Sequence, residues 1–191
     1  MHEIDRDAHQ VIVDAAAKVL DWVLDIHDPN APESLDLNNT PERWVKMMQE
    51  LTRSQPFNFT TFPSDHDEMI VVSNIPLYSL CSHHLIPFIG RAHVAYLPQG
   101  RIAGLSKIAR TVQMYMRGLW TQEDLCDAVH HFLTEKLNPL GVGVVMQAEH
   151  LCMTMRGAQA MGTLTTTSKM SGPFLDHSRQ ARSEFLELIR E

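Results

Sequence analysis

Two β-rich stretches, "MIVVSNIPLYSL" and "FIGRAHVAYLPQG", are separated only by "CSHHLIP". A connection that short fits strands paired antiparallel, and the Pro-Gln-Gly that ends the second stretch is a turn signal. The period then switches from two to that of a helix. "GLSKIARTVQMYMRGLW" and "TQEDLCDAVHHFLTEKL" predict two consecutive helices, with Ser106 and Thr121 as N-caps and Thr121 with Asp124 as a capping-box pattern. "GVGVVMQAEHLCMTMRG" and the Thr-rich run near "MGTLTTTSKMS" return to strand, and "SRQARSEFLELIRE" closes on a helix. The order strand, strand, helix, helix, strand, strand, helix predicts an α+β fold on an antiparallel sheet.

The residues before this are of another kind. "DRDAHQVIVDAAAKVLDWVLDIH" has no Gly or Pro and repeats its apolar residues at helical spacing, at Val11, Ala15, Val19, Val23 and Ile26. A turn-rich linker follows, ended by Thr40 and Pro41, a helix start with Thr as N-cap and Pro in the first turn. That helix carries Arg43 and Lys46 three apart on one face. A second irregular stretch, "SQPFNFTTFPSDHDE", separates it from the strands. The chain is therefore expected to divide into a helical arm, residues 1–66, and an α+β domain, residues 67–191.

Charge narrows the partners. With 191 residues and a formal net charge of −7, no broad electrostatic attraction to nucleic acid or an anionic membrane is expected. Any phosphate must be met by a local group of cations. Three cysteines, Cys81, Cys126 and Cys152, make no disulfide framework. The charged start "MHEIDRDAHQ" lacks an apolar signal core, and no run approaches the ~18 apolar residues of a membrane span. A reduced, cytoplasmic protein is expected.

"AEHLCMTMRG", residues 148–157, is where chemistry concentrates. Read as a strand, it places His150, Cys152, Thr154 and Arg156 on one face and Leu151, Met153 and Met155 on the other. Cys81 and His84 form a C-x-x-H pair able to reach one ion from a tight turn. Alone, that spacing fits a buried thiol beside surface histidines as readily. Cys152, returned by its strand to the same place, would complete three ligands and leave one tetrahedral position open, the pattern of a catalytic zinc. His83 and His150 could then supply a fourth ligand, or serve as acid/base groups.

Cations for a phosphate are also present. Lys107 and Arg110 fall on one face at a helix start, with Arg156, Arg43 and Lys46 as further candidates, although solvated surface cations look the same in sequence. Four residues of strand span about 13 Å, so Arg156 is expected roughly a nucleotide's length from a metal at Cys152. Glu123 sits early in its helix, where a carboxylate is well explained by the helix dipole alone, and is also placed to accept two N–H bonds from a guanine edge. His130 and His131 cannot both face one site, His93 fits a core or interface position, and Cys126 has no ligand-spaced partner. "GVG" lacks the third glycine of a dinucleotide fingerprint.

Together, "TPERWVK", "CSHHLIPFIGRAHVAYLP", "GLSKIAR", "QE" at 122–123, "EHLCMTMRG" and "TTTS" closely resemble the type I GTP cyclohydrolases, in order over about four-fifths of the chain. The resemblance implies a tunnelling fold: a four-stranded antiparallel sheet with paired helices, closed into pentameric rings that stack as a homodecamer with active sites between subunits. It implies conversion of GTP and water to 7,8-dihydroneopterin triphosphate and formate, the first step of pterin and tetrahydrofolate biosynthesis. One zinc per subunit would be held by Cys81, His84 and Cys152 and activate water for addition at guanine C8. His83 would protonate the purine's imidazole ring. His150, with Ser106, would act in ribose opening, rearrangement and ring closure. Gln122 and Glu123 would hold the guanine edge, and Lys107, Arg110, Arg156, Arg43 and Lys46 the triphosphate.

One position departs from the family, which usually reads C-E-H-H where this chain has Ser82. Ser82 is no zinc ligand, so the metal site should survive. Two other readings compete: an enzyme of deazaguanine metabolism on the same fold, with cysteine as a covalent nucleophile and no zinc, and a non-catalytic zinc-stabilised assembly. The first gives no reason for pairing Cys81/His84 with Cys152. The second requires a closed four-ligand metal and gives no role to His83, Glu123 or the cations.

Overall fold

A computed structural model describes residues 6–27, 38–176 and 180–190. The chain divides into two compact units, Met1–Thr52 and Arg53–Glu191. The stretch 53–66, grouped with the arm on sequence, belongs by its contacts to the larger unit.

The smaller unit is a pair of helices, α1 (Arg6–His27) and α2 (Thr40–Thr52). Ala16 and Val45 are buried, and the His9 ring meets the Glu42 carboxylate at 3.1 Å. The Asn39 carbonyl accepts from the Arg43 N–H, so Asn39 and not Thr40 occupies the cap position. Pro41 sits in the first turn, where its missing N–H costs nothing. The apolar residues that mark α1 as a helix remain largely exposed: Val11 is 67%, Val19 53% and Val23 42% accessible.

The larger unit contains β1 (Thr61–Pro63), β2 (Ile70–Cys81), β3 (Pro87–Leu97), β4 (Arg101–Ala103), α3 (Leu105–Tyr115), β5 (Leu119–Trp120), α4 (Gln122–Leu137), β6 (Gly141–His150), α5 (Leu151–Thr154), β7 (Leu164–Met170) and α6 (Ala181–Leu188). The main sheet runs β5-β2-β3-β6-β7. Its four long strands pair antiparallel, and β5 adds a short parallel edge beside β2. This is the expected α+β tunnelling-fold arrangement of four antiparallel strands with two consecutive helices. β1 and β4 form a separate two-stranded ladder.

Alternation along the strands supplies a core on each face of the sheet. On one face, Leu77, Phe88, Val94, Tyr96, Val144 and Met146 pack with Ile108 and Val112 of α3 and Leu125, Val129 and Leu133 of α4. On the other, Ala95, Val145 and Met170 pack with Phe174 and Phe185, the latter on α6. The final helix expected over 178–191 is present as α6, with residues 177–179 and 191 outside those described.

Three local expectations are corrected. The cap of α3 is Gly104, whose carbonyl accepts from Lys107 N at 2.7 Å, so Ser106 lies inside the first turn. Leu119 and Trp120 leave the helical pattern to form β5. Most consequentially, the strand carrying "AEHLCMTMRG" stops at His150. Phe88↔His150 is the last pair of the β3–β6 ladder. Beyond it the backbone has no strand to bond and satisfies itself locally, Met155 N donating to Leu151 O at 2.9 Å. The Thr154 hydroxyl holds the turn by reaching the Glu149 carboxylate at 3.0 Å and the His150 carbonyl at 3.2 Å.

Candidate metal centre and active site

The β2–β3 connection is a tight loop. Cys81 N donates to Ile86 O, and His84 N and Leu85 N both donate to Cys81 O. Leu85 takes the left-handed conformation that lets the chain reverse, with φ of 55°. Beside the loop, Trp120 pairs with Cys81 across β5, and its carbonyl accepts the Ser82 N–H at 3.0 Å. The reversal leaves Cys81 buried and Ser82, His83 and His84 exposed.

Opposite the loop, α5 carries Cys152. The ligand atoms of Cys81, His84 and Cys152 lie within 4.8 Å of one another. Two thiols and an imidazole are a borderline-soft donor set suited to zinc, and three protein ligands leave a tetrahedral position open. The residues therefore fit the metal. Both histidine rings lean on the same sulfur, with Nδ1 of His83 at 3.8 Å and Nδ1 of His84 at 3.9 Å from Cys81 Sγ. Burial and the Cys81 thiol push the Cys152 thiol up, against an opposing pull from the Arg156 guanidinium.

So the cluster read from sequence forms, though through a helical turn and not a shared strand face. Thr154 turns back on its own backbone and is no part of a reactive face.

His150 ends β6 with its ring stacked on Phe88, centroids 4.8 Å apart and planes 15° apart. Its Nε2 lies 2.8 Å from Oε1 of Gln122. Burial holds its pKa below the ordinary histidine value, opposed by the Glu123 carboxylate nearby. Glu123 is exposed in the first turn of α4, whose Thr121 cap accepts from Asp124 N at 3.1 Å. Gln122, expected at the guanine edge, is instead 1% accessible. Its amide nitrogen is directed at Met146 O, Thr165 O and Thr167 Oγ1, each 3.0–3.1 Å away.

The cations are more dispersed. Lys107 is half-buried with Nζ 6.0 Å from the Phe57 ring centre, and Ser106 is exposed. Arg110 lines an open cleft of about 480 Å³ with Arg117, Tyr78 and Gln113, whose walls do not include the cysteine cluster. Arg156 is exposed beyond α5. Arg43 and Lys46 belong to the smaller unit, where Lys46 pairs with Glu42 at 3.0 Å.

The remaining polar residues have structural explanations. Cys126 is buried with its thiol 3.8 Å from Val144 O and its pKa pushed up to about 12 by burial first and Asp127 second. His130 is buried against the Ser171 hydroxyl at 3.0 Å, and His93 is buried in β3. Among the described residues, no helix is long and apolar enough to cross a membrane.

Comparison with known proteins shows the family. The family model for GTP cyclohydrolase I matches residues 15–190. A protein of Synechococcus sp. (strain JA-2-3B'a(2-13)) named GTP cyclohydrolase 1 is 48% identical over 165 residues, covering 83% of this chain and 72% of that one. One of the same name from Chlorobaculum tepidum is 42% identical over 194 residues, covering 98% and 84%. A third, from Rattus norvegicus, is 46% identical over 165 residues, covering 83% and 68%.

Proposed function

From the premise that the chain belongs to the GTP cyclohydrolase I family, we propose that it converts GTP and water to 7,8-dihydroneopterin triphosphate and formate. The observation that carries this reading is the convergence of Cys81, His84 and Cys152 on one point, with a non-ligating histidine, His83, against the same sulfur.

Cys81, His84 and Cys152 would hold zinc, which would supply a Lewis acid able to make water a nucleophile near neutral pH. His83 donates a proton to the purine's imidazole ring, drawing electron density from C8, and the opened ring loses C8 as formate. His150 then moves protons on the ribose-derived carbons as they rearrange and close the new ring, with Ser106 assisting. Glu123 accepts the N–H groups of the guanine edge. A base without those donors leaves the carboxylate unpaired and is rejected.

Lys107, Arg110 and Arg156 bind the triphosphate, joined by Arg43 and Lys46. In this reading the site is completed between subunits of a ring, some of these cations coming from a neighbouring copy. A homodecamer of two pentamers is the assembly proposed, and the cytoplasm its location. Together these five cations would meet a tetra-anionic substrate on a chain whose net charge is −7.

The test is to incubate zinc-loaded protein with GTP and follow formate together with pterin fluorescence after oxidation and dephosphorylation. Equal amounts of both are expected. Neither product, with zinc bound and the oligomer intact, overturns the reading in favour of a non-catalytic assembly or another substrate.

A further inference from the structure

Gln122 presents an amide whose orientation is settled by its neighbours. Two of them, the carbonyl oxygens of Met146 and Thr165, lie 3.0 Å from Nε2 and can only accept. Reversing the amide would set Oε1 against both carbonyls, oxygen to oxygen, in a site 1% accessible to water. Nε2 therefore faces the carbonyls and Oε1 faces His150. Oε1 also only accepts, so the His150 nitrogen 2.8 Å from it, Nε2, must carry a hydrogen.

From this geometry we infer that Gln122 is a positioning residue, which holds the ring hydrogen of His150 on Nε2 and so leaves Nδ1 as its proton-accepting atom. Phe88, stacked on the ring at 15°, sets the plane in which Nε2 meets Oε1. The three partners of Gln122 come from β6 and β7, so the sheet itself sets the tautomer. Nδ1 has no hydrogen-bond partner among the described residues. This gives Gln122 a task different from binding guanine: its polar atoms are spent inside the protein, and Glu123 alone of the pair stays exposed.

The inference rests on the proposed role of His150 in the steps after formate release, and it is tested apart from that role. Zinc-loaded full-length protein carrying ¹⁵N-labelled histidine is examined by solid-state NMR at a pH where free imidazole is neutral. The His150 signals are assigned by difference from His150→Ala. A protonated Nε2 and bare Nδ1 are expected, and the reverse assignment overturns the inference. In Gln122→Met the signals are expected to show mixed tautomers, with pterin formed per formate released falling at least tenfold. A variant that keeps both the pure tautomer and the wild-type ratio also overturns it. Should Gln122→Met not fold, the wild-type spectrum decides. Should the wild type release no formate while its spectrum shows Nε2–H, the inference about Gln122 holds and the reading of the reaction fails.

Discussion

Phe88 and His150 face each other as the last pair of the β3–β6 ladder, their rings stacked 15° from parallel. The ladder thus delivers the histidine to the end of the sheet, and the phenylalanine fixes its plane. Phe88 is fully buried, so Phe88→Ala is expected to cost about 3–5 kcal/mol of stability. Phe88→Leu leaves a smaller cavity than the alanine change, so it should cost less and fold, while freeing the ring of its stacking partner. Denaturation midpoints measure the first effect. The second is read as pterin yield per formate, which should fall in the leucine variant if the ring must be held.

The cysteines should separate cleanly by function. Cys152→Ala is expected to remove zinc and activity together, because two ligands cannot hold the metal. Cys126→Ala should keep a full equivalent of zinc, since its thiol lies in the core against Val144 O. Metal analysis of both variants after gel filtration makes the comparison. Stoichiometric zinc in Cys152→Ala would count against the site.

The contrast between these cysteines shows what was legible in the sequence. C-x-x-H in a short loop between strands gave the loop geometry, because both elements have strong local signals. Cys152 converges with Cys81 and His84, but from a helical turn and not from the strand its alternation predicts. Alternating residues continue past His150, but the partner strand does not, and where a ladder ends is a property of the pairing. Gln122, placed at the guanine edge only by the family resemblance, shows a related limit: the Met146, Thr165 and Thr167 that close over it are remote in sequence. The β1–β4 ladder, three residues on each strand and forty apart, offers no local pattern at all. Gly90, by contrast, gave no sign of its role. A side chain there would strike the Gln147 carbonyl backbone, so the glycine permits the β3–β6 approach on which His150 depends.

Metal binding and chemistry should come apart at His83. It leans on Cys81 but lies outside the group of Cys81, His84 and Cys152 whose ligand atoms converge. His83→Ala is therefore expected to retain zinc and to lose formate release by at least about 100-fold, the size of a lost general acid. Zinc content and formate assays on the same preparation test this. Zinc lost in step with activity would make His83 a ligand instead.

Glu123→Gln should act on substrate alone. Replacing a carboxylate by an amide at an exposed helix start leaves the metal loop untouched. It removes charge-assisted hydrogen bonds worth about 1.5–3 kcal/mol, so KM for GTP is expected to rise by at least tenfold with metal content unchanged. Steady-state kinetics that match the wild type would exclude guanine recognition by this residue.

Cys126 also links stability to pH. Its thiol titrates near 9.0 when unperturbed and is pushed up to about 12 in the folded chain, chiefly by burial. Above pH 9 the unfolded chain releases this proton while the folded chain keeps it. The thiol's contribution is therefore fully present below pH 9 and is lost as pH rises toward 12, at about 1.4 kcal/mol per pH unit. Between pH 8 and pH 10 the wild type should lose about 1.4 kcal/mol more than Cys126→Ala. Lysines and tyrosines titrating in the same range affect both proteins and cancel in the difference. Urea unfolding of the two proteins at each pH measures that difference, and equal losses would place the Cys126 thiol in contact with water.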